Sequence, residues 1–436
     1  MNPACQITHR QISAGTCPRC KTIVAAAGSV PNSIERVWNC EAMFAALDDP
    51  SVEVRSITVM NAHNNGPPAD LAIPLLAKAL SDTSSEIRSH AARGLSWMGK
   101  DMSVDDVRRI EEQIPGSPHE LGLRILALSY YFLGERESDS ARHSRHQHIF
   151  WLITHAPDSE IAGSPESSLH GEDNRQAYET AKDIWLRQIE SRPENTTILG
   201  NAASFFLIHD SQLSESLLKK ACKIERTNPR WSERLGHVYS LQSQRNSPNA
   251  LLIASSALQA FQDAERMQSD AQPVGDLNAP AELKRIVELI TRISKLSNLA
   301  KAAFEAREVE VARNYATELL NAAVSEDLPE FFRNDGDAVH QGNRILGTIA
   351  LQSGDINQAR QRLVASACVS GSAVLSSFGP NMSLAKELLE RGERDVVLEF
   401  FGLCAKFWEH GSSNLAEWSR QVRAGEIPAF GANLNY

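Results

Sequence analysis

Cys17-Pro18-Arg19-Cys20 is the arrangement in this 436-residue chain best suited to chemistry. Two thiolates at that spacing can hold one zinc ion from a tight turn, and Pro18 helps to set the turn. A closed tetrahedral site needs two more ligands: Cys5 is the first candidate, followed by His9 or Cys40. The second CxxC of a regular zinc ribbon is missing, which leaves a bare or redox-active thiol pair as the competing use. Residues 1–32 show no helical period and leave through Gly28, Ser29, Pro31 and Ser33, so they form a small appended element. So short a segment buries little core, and structural zinc would staple it. Four of the seven cysteines fall within the first 40 residues, a clustering that favours metal over disulfides. Cys222, Cys368 and Cys404 occupy apolar positions of helical patterns and are expected to be small buried hydrophobes.

A second concentration of chemistry is Arg142-His143-Ser144-Arg145-His146-Gln147-His148. On a helix, His143 and His146 share a face and could ligate a metal with a third group from elsewhere. A basic contact patch and a solvated surface are the alternatives. Acid pairs such as Glu111 with Glu112 and Asp335 with Asp337 are expected to be solvated, because no pocket to shift their pKa values is visible. The runs GxxxxGK[ST], GxGxxG, HExxH and GxSxG do not occur, so four large enzyme classes lose their usual support.

The elements that must position these groups are repeats. Leu47-Asp48-Asp49-Pro50-Ser51-Val52-Glu53-Val54-Arg55 returns 33 residues later as Leu80-Ser81-Asp82-Thr83-Ser84-Ser85-Glu86-Ile87-Arg88, and Gly66 to Gly99 keeps that offset. Each copy is an Asp-containing turn capping a helix whose apolar residues recur three and four apart and which ends at Gly. Glu120-Leu121-Gly122-Leu123-Arg124 opens a looser third copy. Residues 40–135 thereby resemble the HEAT repeat family. The resemblance implies stacked helical hairpins in which Asp49, Arg55, Asp82 and Arg88 stabilise turns and neighbouring repeats.

Pro157 to Asn174 is rich in Pro, Gly and Ser without sustained apolar periodicity, which predicts a linker over 157–175. The period then changes. Ala181, Trp185 and Pro193, followed by Leu235, Gly236, Tyr239, Ala257, Phe261 and Ala264, have the spacing of longer helical hairpins. Leu346, Gly347, Ala350, Gly354, Ala359 and Leu363 return 38 residues later as Leu384, Ala385, Leu388, Gly392, Val397 and Phe401. This half, about 176–408, resembles the tetratricopeptide (TPR) repeat family, although its spacing expands to 38 and 269–280 interrupts it. Trp408, Trp418 and Phe430 to Tyr436 are expected to cap the last repeat. Cys17-Pro18-Arg19-Cys20, for its part, resembles a zinc knuckle.

The expected fold is therefore all-α: a helical-hairpin solenoid, HEAT-like then TPR-like, with a small zinc-ribbon-like N-terminus. The expected divisions are 1–32, 33–156, the linker 157–175, 176–268 and 281–436. The TPR resemblance implies a groove lined by the first helix of each pair, and matching positions place Arg230, His237, Arg344 and Lys386 there. A row of cations could grip the carboxylates of an acidic or C-terminal peptide; ordinary exposed side chains are the alternative.

A hydrophobic fraction of 42% and a charged fraction of 22% exclude a mainly disordered chain, and the richest apolar runs are too short to span a bilayer. The start lacks the charged head and apolar middle of a secretory signal, so the chain is expected in the cytoplasm and off the membrane. A net charge of −10 disfavours nonspecific nucleic-acid binding. The expected function is a non-enzymatic scaffold or adaptor for a protein or peptide partner, with zinc as a structural cofactor. Two alternatives stand: a regulatory module whose zinc knuckle, beside Arg10, Arg19 and Lys21, contacts nucleic acid, and a metal-dependent enzyme built on His143 to His148.

Overall fold

A computed structural model describes residues 15–16, 23–24, 40–64, 69–117, 120–133, 138–169, 174–244, 248–270, 281–328 and 336–434. Among these, the only strands are Gly15–Thr16 (β1) and Ile23–Val24 (β2), paired antiparallel. Everything else that is regular is helical, and the helices pack in consecutive pairs, the arrangement of a helical-repeat solenoid. The chain divides into two compact units, Met1–Glu225 and Arg226–Tyr436.

The first unit contains α1 (Cys40–Leu47), α2 (Val52–Asn64), α3 (Ala69–Ala79), α4 (Ser85–Lys100), α5 (Val104–Gln113), α6 (Glu120–Leu133) and α7 (Asp139–His155), then α8 (Arg175–Ser191), α9 (Thr196–Phe206) and α10 (Ser211–Ile224). Its core is aliphatic near the start, with Met43, Leu75, Leu76, Ile87 and Leu95 fully buried, and aromatic near the end, around Trp185 and Phe206. The 33-residue repeat has a clear structural meaning. Asp49 and Asp82 each accept the N–H two residues on, from Ser51 (2.9 Å) and Ser84 (2.8 Å), and so fix the turns that open α2 and α4. Arg55 donates to the Asp49 carbonyl, and Arg88 to the Asp82 carbonyl, both at 2.9 Å. Arg55 also clasps the Asp82 carboxylate of the next repeat through Nε (2.7 Å) and Nη2 (3.1 Å).

The following repeat offers no Asp at that place, and Arg88 pairs instead with Glu160 at 3.1 Å. Glu160 lies in the segment expected to be a linker, and that expectation is corrected. Glu160–Gly163 and Pro165–Ser167 are short 3-10 helices, with Ile161, Ala162 and Leu169 buried. Ser167 Oγ donates to the Ile161 carbonyl (2.7 Å), and Asn201 Nδ2 donates to the carbonyls of Pro157 and Ser159 (both 2.9 Å). Ser129 donates to Ser96, which donates to Glu166 (3.0 and 2.8 Å), tying the segment to α4 and α6. Pro, Gly and Ser suit tight 3-10 turns as well as linkers, and three apolar anchors are too few to make a period. The boundary between the units falls inside the expected 176–268 block, and 157–169 is bonded to helices before and after it. Of the expected break at 269–280, residues 269–270 continue α12 and 271–280 lie outside the described residues.

The second unit contains α11 (Pro229–Ser243) with α12 (Ala250–Asp270), α13 (Ala281–Glu305) with α14 (Val309–Ala323), α15 (Gly336–Gln352) with α16 (Ile356–Ala367), the short α17 (Ala373–Phe378), α18 (Ser383–Glu390) with α19 (Arg394–Cys404), and α20 (Ser412–Arg423). The 38-residue repeat corresponds to one turn used twice. Gly354 and Gly392 take φ of +87° and +83°, and the next residue, Asp355 or Glu393, donates back to Ala350 (2.9 Å) or Leu388 (3.0 Å). Glu308 donates to Ala303 (3.0 Å) in the same way across the α13–α14 turn, with Arg307 at φ +60° in the glycine's place. The repeated apolar positions Leu346, Ala350, Ala359, Leu363, Leu384, Ala385, Leu388, Val397 and Phe401 are all buried.

At the end of this unit, Trp418 lies 6.0 Å from Trp408 and 5.0 Å from Phe430, ring centre to ring centre. Asn433 then straps the tail down: its amide donates to the carbonyls of Phe378 (3.0 Å) and Pro380 (3.1 Å), and its own carbonyl accepts the Met382 N–H (2.7 Å). Cys404 is buried in this core, whereas Cys368, expected to be buried, is exposed at the end of α16, and Cys222 is half-buried. The helical period places Cys368 on an apolar stripe, but the helix stops one residue before it.

The Arg55 and Asp82 side chains are 11% and 7% exposed, while those of the Lys78–Asp48 pair are 37% and 69% exposed. Asp82→Ala is therefore expected to cost about 3 kcal/mol, because it strands a buried guanidinium and uncaps α4. Asp48→Ala should change stability by no more than about 0.5 kcal/mol. Urea unfolding of both variants checks the contrast, and equal midpoints would contradict it.

Candidate functional site

The first helices of successive pairs in the second unit bring charged side chains together. α13 packs on α15, and α15 on α18. Spacings of four residues put Lys301 with Glu305 on α13 and His340 with Arg344 on α15. Arg344 is 8% exposed, and its guanidinium carbon lies 5.7 Å from the centre of the Phe304 ring. Burial pushes Glu305 above the usual carboxylate range, against the pull of Lys301, a Ser243 hydrogen bond and Arg344. Burial likewise depresses Lys301, against the Glu305 charge and together with that of Arg344. Glu387 on α18 is raised by burial and by Glu390, while Arg344, Arg391 and Lys386 oppose the shift. Carboxylates and cations in this group thus share one partly dry surface.

All four residues expected in the groove lie in this unit. Arg344 and Lys386 both act on Glu387. His237 rests edge-on against Phe261 at 5.1 Å, and desolvation there lowers its pKa, with Glu233 opposing and Arg234 and Lys301 adding to the effect. Arg230 is exposed and stacks over Trp231 (5.0 Å), next to Arg234 (5.7 Å), whose pKa is lowered by burial to about 10. A row of cations is nevertheless not what forms: Glu305 and Glu387 alternate with Lys301, Arg344 and Lys386. Sequence reasoning missed both acids and Lys301, since the matched family positions fell only on Arg230, His237, Arg344 and Lys386. The four-residue spacing of Lys301 and Glu305 was the signal that could have found them.

His340 sits beneath this face. Its Nδ1–H donates to the Ser366 carbonyl (3.1 Å) and its Nε2 accepts the Asn381 N–H (2.9 Å), which fixes the neutral tautomer. Burial first, and the Arg344 charge in addition, lower its pKa to about 4, against the Ser366 bond. The unfolded chain takes up the proton at its ordinary pH of about 6.5. The stability this group gives is therefore complete above that pH and is lost as the pH falls toward the folded value, by roughly 3 kcal/mol in all. Unfolding midpoints measured between pH 7 and 4 should fall, and His340→Gln should flatten the slope; an unchanged slope in that variant would refute the assignment.

The first unit holds a different site. α5 and α7 both pack on α6, and a cleft of about 470 Å³ opens between them. Tyr131 forms part of the floor, Val104, Val107 and Arg108 one wall, and Ser140, His143 and Ser144 the other. His148, whose side chain is 4% exposed, closes one end: its Nε2 meets Glu111 Oε1 at 2.9 Å, and Tyr131 donates to the same oxygen at 3.1 Å. Burial would raise Glu111, but the His148 bond and charge, then Tyr131 and Arg124, hold it below the usual range. Burial first, with Glu111 adding to it, pushes the Tyr131 hydroxyl up to about 12, against a Ser144 bond. Glu111, expected to be solvated, is half-buried instead, because its own face of α5 packs on α6 and meets Tyr131 and His148, whereas Glu112 is exposed as expected.

The metal site that His143 and His146 were one alternative for does not assemble among the described residues. His146 turns to the Phe150 ring (6.3 Å), His148 is taken by Glu111, and no group of three or more His, Cys, Asp or Glu among the described residues could hold a metal ion. The expected ligands Cys5, His9, Cys17 and Cys20 lie outside the described residues. Cys17 and Cys20 fall in sequence between the paired strands β1 and β2. No helix among the described residues is long and apolar enough to cross a membrane.

Residues 41–113 match the family model of HEAT repeats. Comparison with curated proteins finds no match for the chain. The matched span covers α2, α3, α4 and α5 and nearly all of α1, together with the Arg55–Asp82 clasp. Helical-repeat folds of this kind are typically protein-interaction scaffolds and typically not enzymes.

Proposed function

We propose that the chain is a non-enzymatic adaptor that binds a protein or peptide partner on the first-helix face of its second unit, with the HEAT-like helices of the first unit as a second stacked block. The observation that carries this reading is the group Lys301, Glu305, Arg344 and Glu387, whose charges are partly desolvated before any partner arrives. Part of the cost of drying an interface has then already been met in folding, and mixed signs select a partner by charge pattern more than by net charge. The 38-residue turn repeat and the alternation of first and second helices in this unit support its TPR-like description. Because Arg344 is buried, the test uses the exposed Arg230 and the half-buried Lys386. The immobilised full chain is exposed to lysate of its host, and retained proteins are identified by mass spectrometry. A small set competed away by free chain and reduced at least tenfold by Arg230→Glu with Lys386→Glu is expected. Unchanged retention by that variant would remove this face from the function.

The N-terminal Cys17-Pro18-Arg19-Cys20 turn enters the same reading as a structural zinc element completed by Cys5 and His9, and the antiparallel pairing of β1 with β2 on either side of it supports this. Elemental analysis of the purified full chain should find about one zinc per chain, lost on Cys17→Ser with Cys20→Ser. A metal-free wild-type chain, purified without chelator, would end the proposal. Nucleic acid among the retained material, released at moderate salt, would favour the alternative in which this element contacts nucleic acid.

A further inference from the structure

We infer that the cleft between α5 and α7 is a binding site for a small organic oxyanion, one with an aromatic or apolar body and a single phosphate or carboxylate head. The volume, about 470 Å³, lies within the range of roughly 300–1,000 Å³ typical of small-molecule sites. Its two halves differ in chemistry. Val104 and Val107 on α5 and the Tyr131 ring on the floor form an apolar half, and Tyr131 is held in place by stacking on His148 at 5.9 Å and 20°. The other half joins Arg108, from the same α5 wall, to His143, Ser140 and Ser144 of α7, and it presents a guanidinium, an imidazole and hydroxyl donors.

Glu111 is the single carboxylate among the described lining residues, and it is already engaged by His148 and Tyr131. Just outside, Glu120 is paired with Arg124 (2.9 Å) and Asp139 with Arg142, while Asp105 meets Arg108 through Nη1 alone (2.8 Å), in an exposed contact that leaves the other guanidinium N–H groups for a ligand. The N-terminus of the 17-residue α7 also opens here, since its N-cap Ser138 and its first-turn Ser140 both line the cleft. Ser138 Oγ satisfies the Ala141 N–H at 3.1 Å, and the preceding N–H groups of the turn add the positive end of the helix dipole to the same half. A ligand with a negative head and an apolar body complements both halves; a cation would meet Arg108, Arg124 and the helix N-terminus.

The probes are phenyl phosphate, benzoate, inorganic phosphate and phenol, titrated calorimetrically into the full chain. Saturable one-site binding of phenyl phosphate or benzoate is expected, with phenol and inorganic phosphate each at least tenfold weaker because each fills one half. Whichever of the two acids binds more tightly identifies the head group. Arg108→Gln with His143→Gln changes two exposed side chains and should weaken binding at least tenfold. As a measurement that needs no variant, the bound probe should protect His143 from modification by diethyl pyrocarbonate while exposed His410 stays reactive. Absence of saturable binding of both acids at millimolar concentration, equal affinity for phenol, or unaltered affinity in the double variant would each overturn the proposal. Loss of partner capture in the second-unit variants would not bear on it.

Discussion

A helical hairpin has more apolar and polar surface at its flank than it can satisfy alone, so each pair depends on the next one in line. The Arg55–Asp82 clasp shows the constraint in its sharpest form. Asp82 caps its own turn through Ser84 and at the same time neutralises the arginine of the preceding repeat. Where the pattern runs out, the chain supplies a substitute: Glu160 takes the place of the next aspartate, and a buried hydroxyl relay from Ser129 through Ser96 to Glu166 holds that segment down. The second unit meets the same need with Trp408, Trp418, Phe430 and the Asn433 strap. The last flank of the second unit is covered by irregular chain, because a further regular repeat would only create a new uncovered flank.

The same stacking decides which charges become useful. A helix laid between two neighbours has its polar residues squeezed between the next helix and water. Arg344 is almost buried for that reason, and Glu305, Lys301 and Glu387 shift in the directions that burial dictates. Their mixed signs are the charge pattern that the proposed adaptor role would use. His340, one turn away on the same helix, couples the integrity of this face to pH through two backbone hydrogen bonds.

The two units thus offer different chemistries. One presents a string of charges along consecutive helices, suited to an extended partner. The other holds a cleft beside α6, suited to something small. Both arise where three helices meet and the middle one is covered from two sides.

Most of the architecture was legible in the residues themselves. The 33-residue offset of Asp49 and Arg55 located the turns, and the 38-residue offset of Gly354 located the hairpins, because turn chemistry and helical periodicity are local. Arg230, His237, Arg344 and Lys386 could be assigned to one unit's first helices for the same reason. The segment 157–175 was misread because its three anchors gain their energy only against α4, α6 and α9, which are distant in sequence. The carboxylates that interleave with the cations, the burial of Glu111 and its bond to His148 across 37 residues were likewise out of reach. Hydrogen-bond partners and desolvation belong to pairs of helices, and local sequence specifies only one helix at a time.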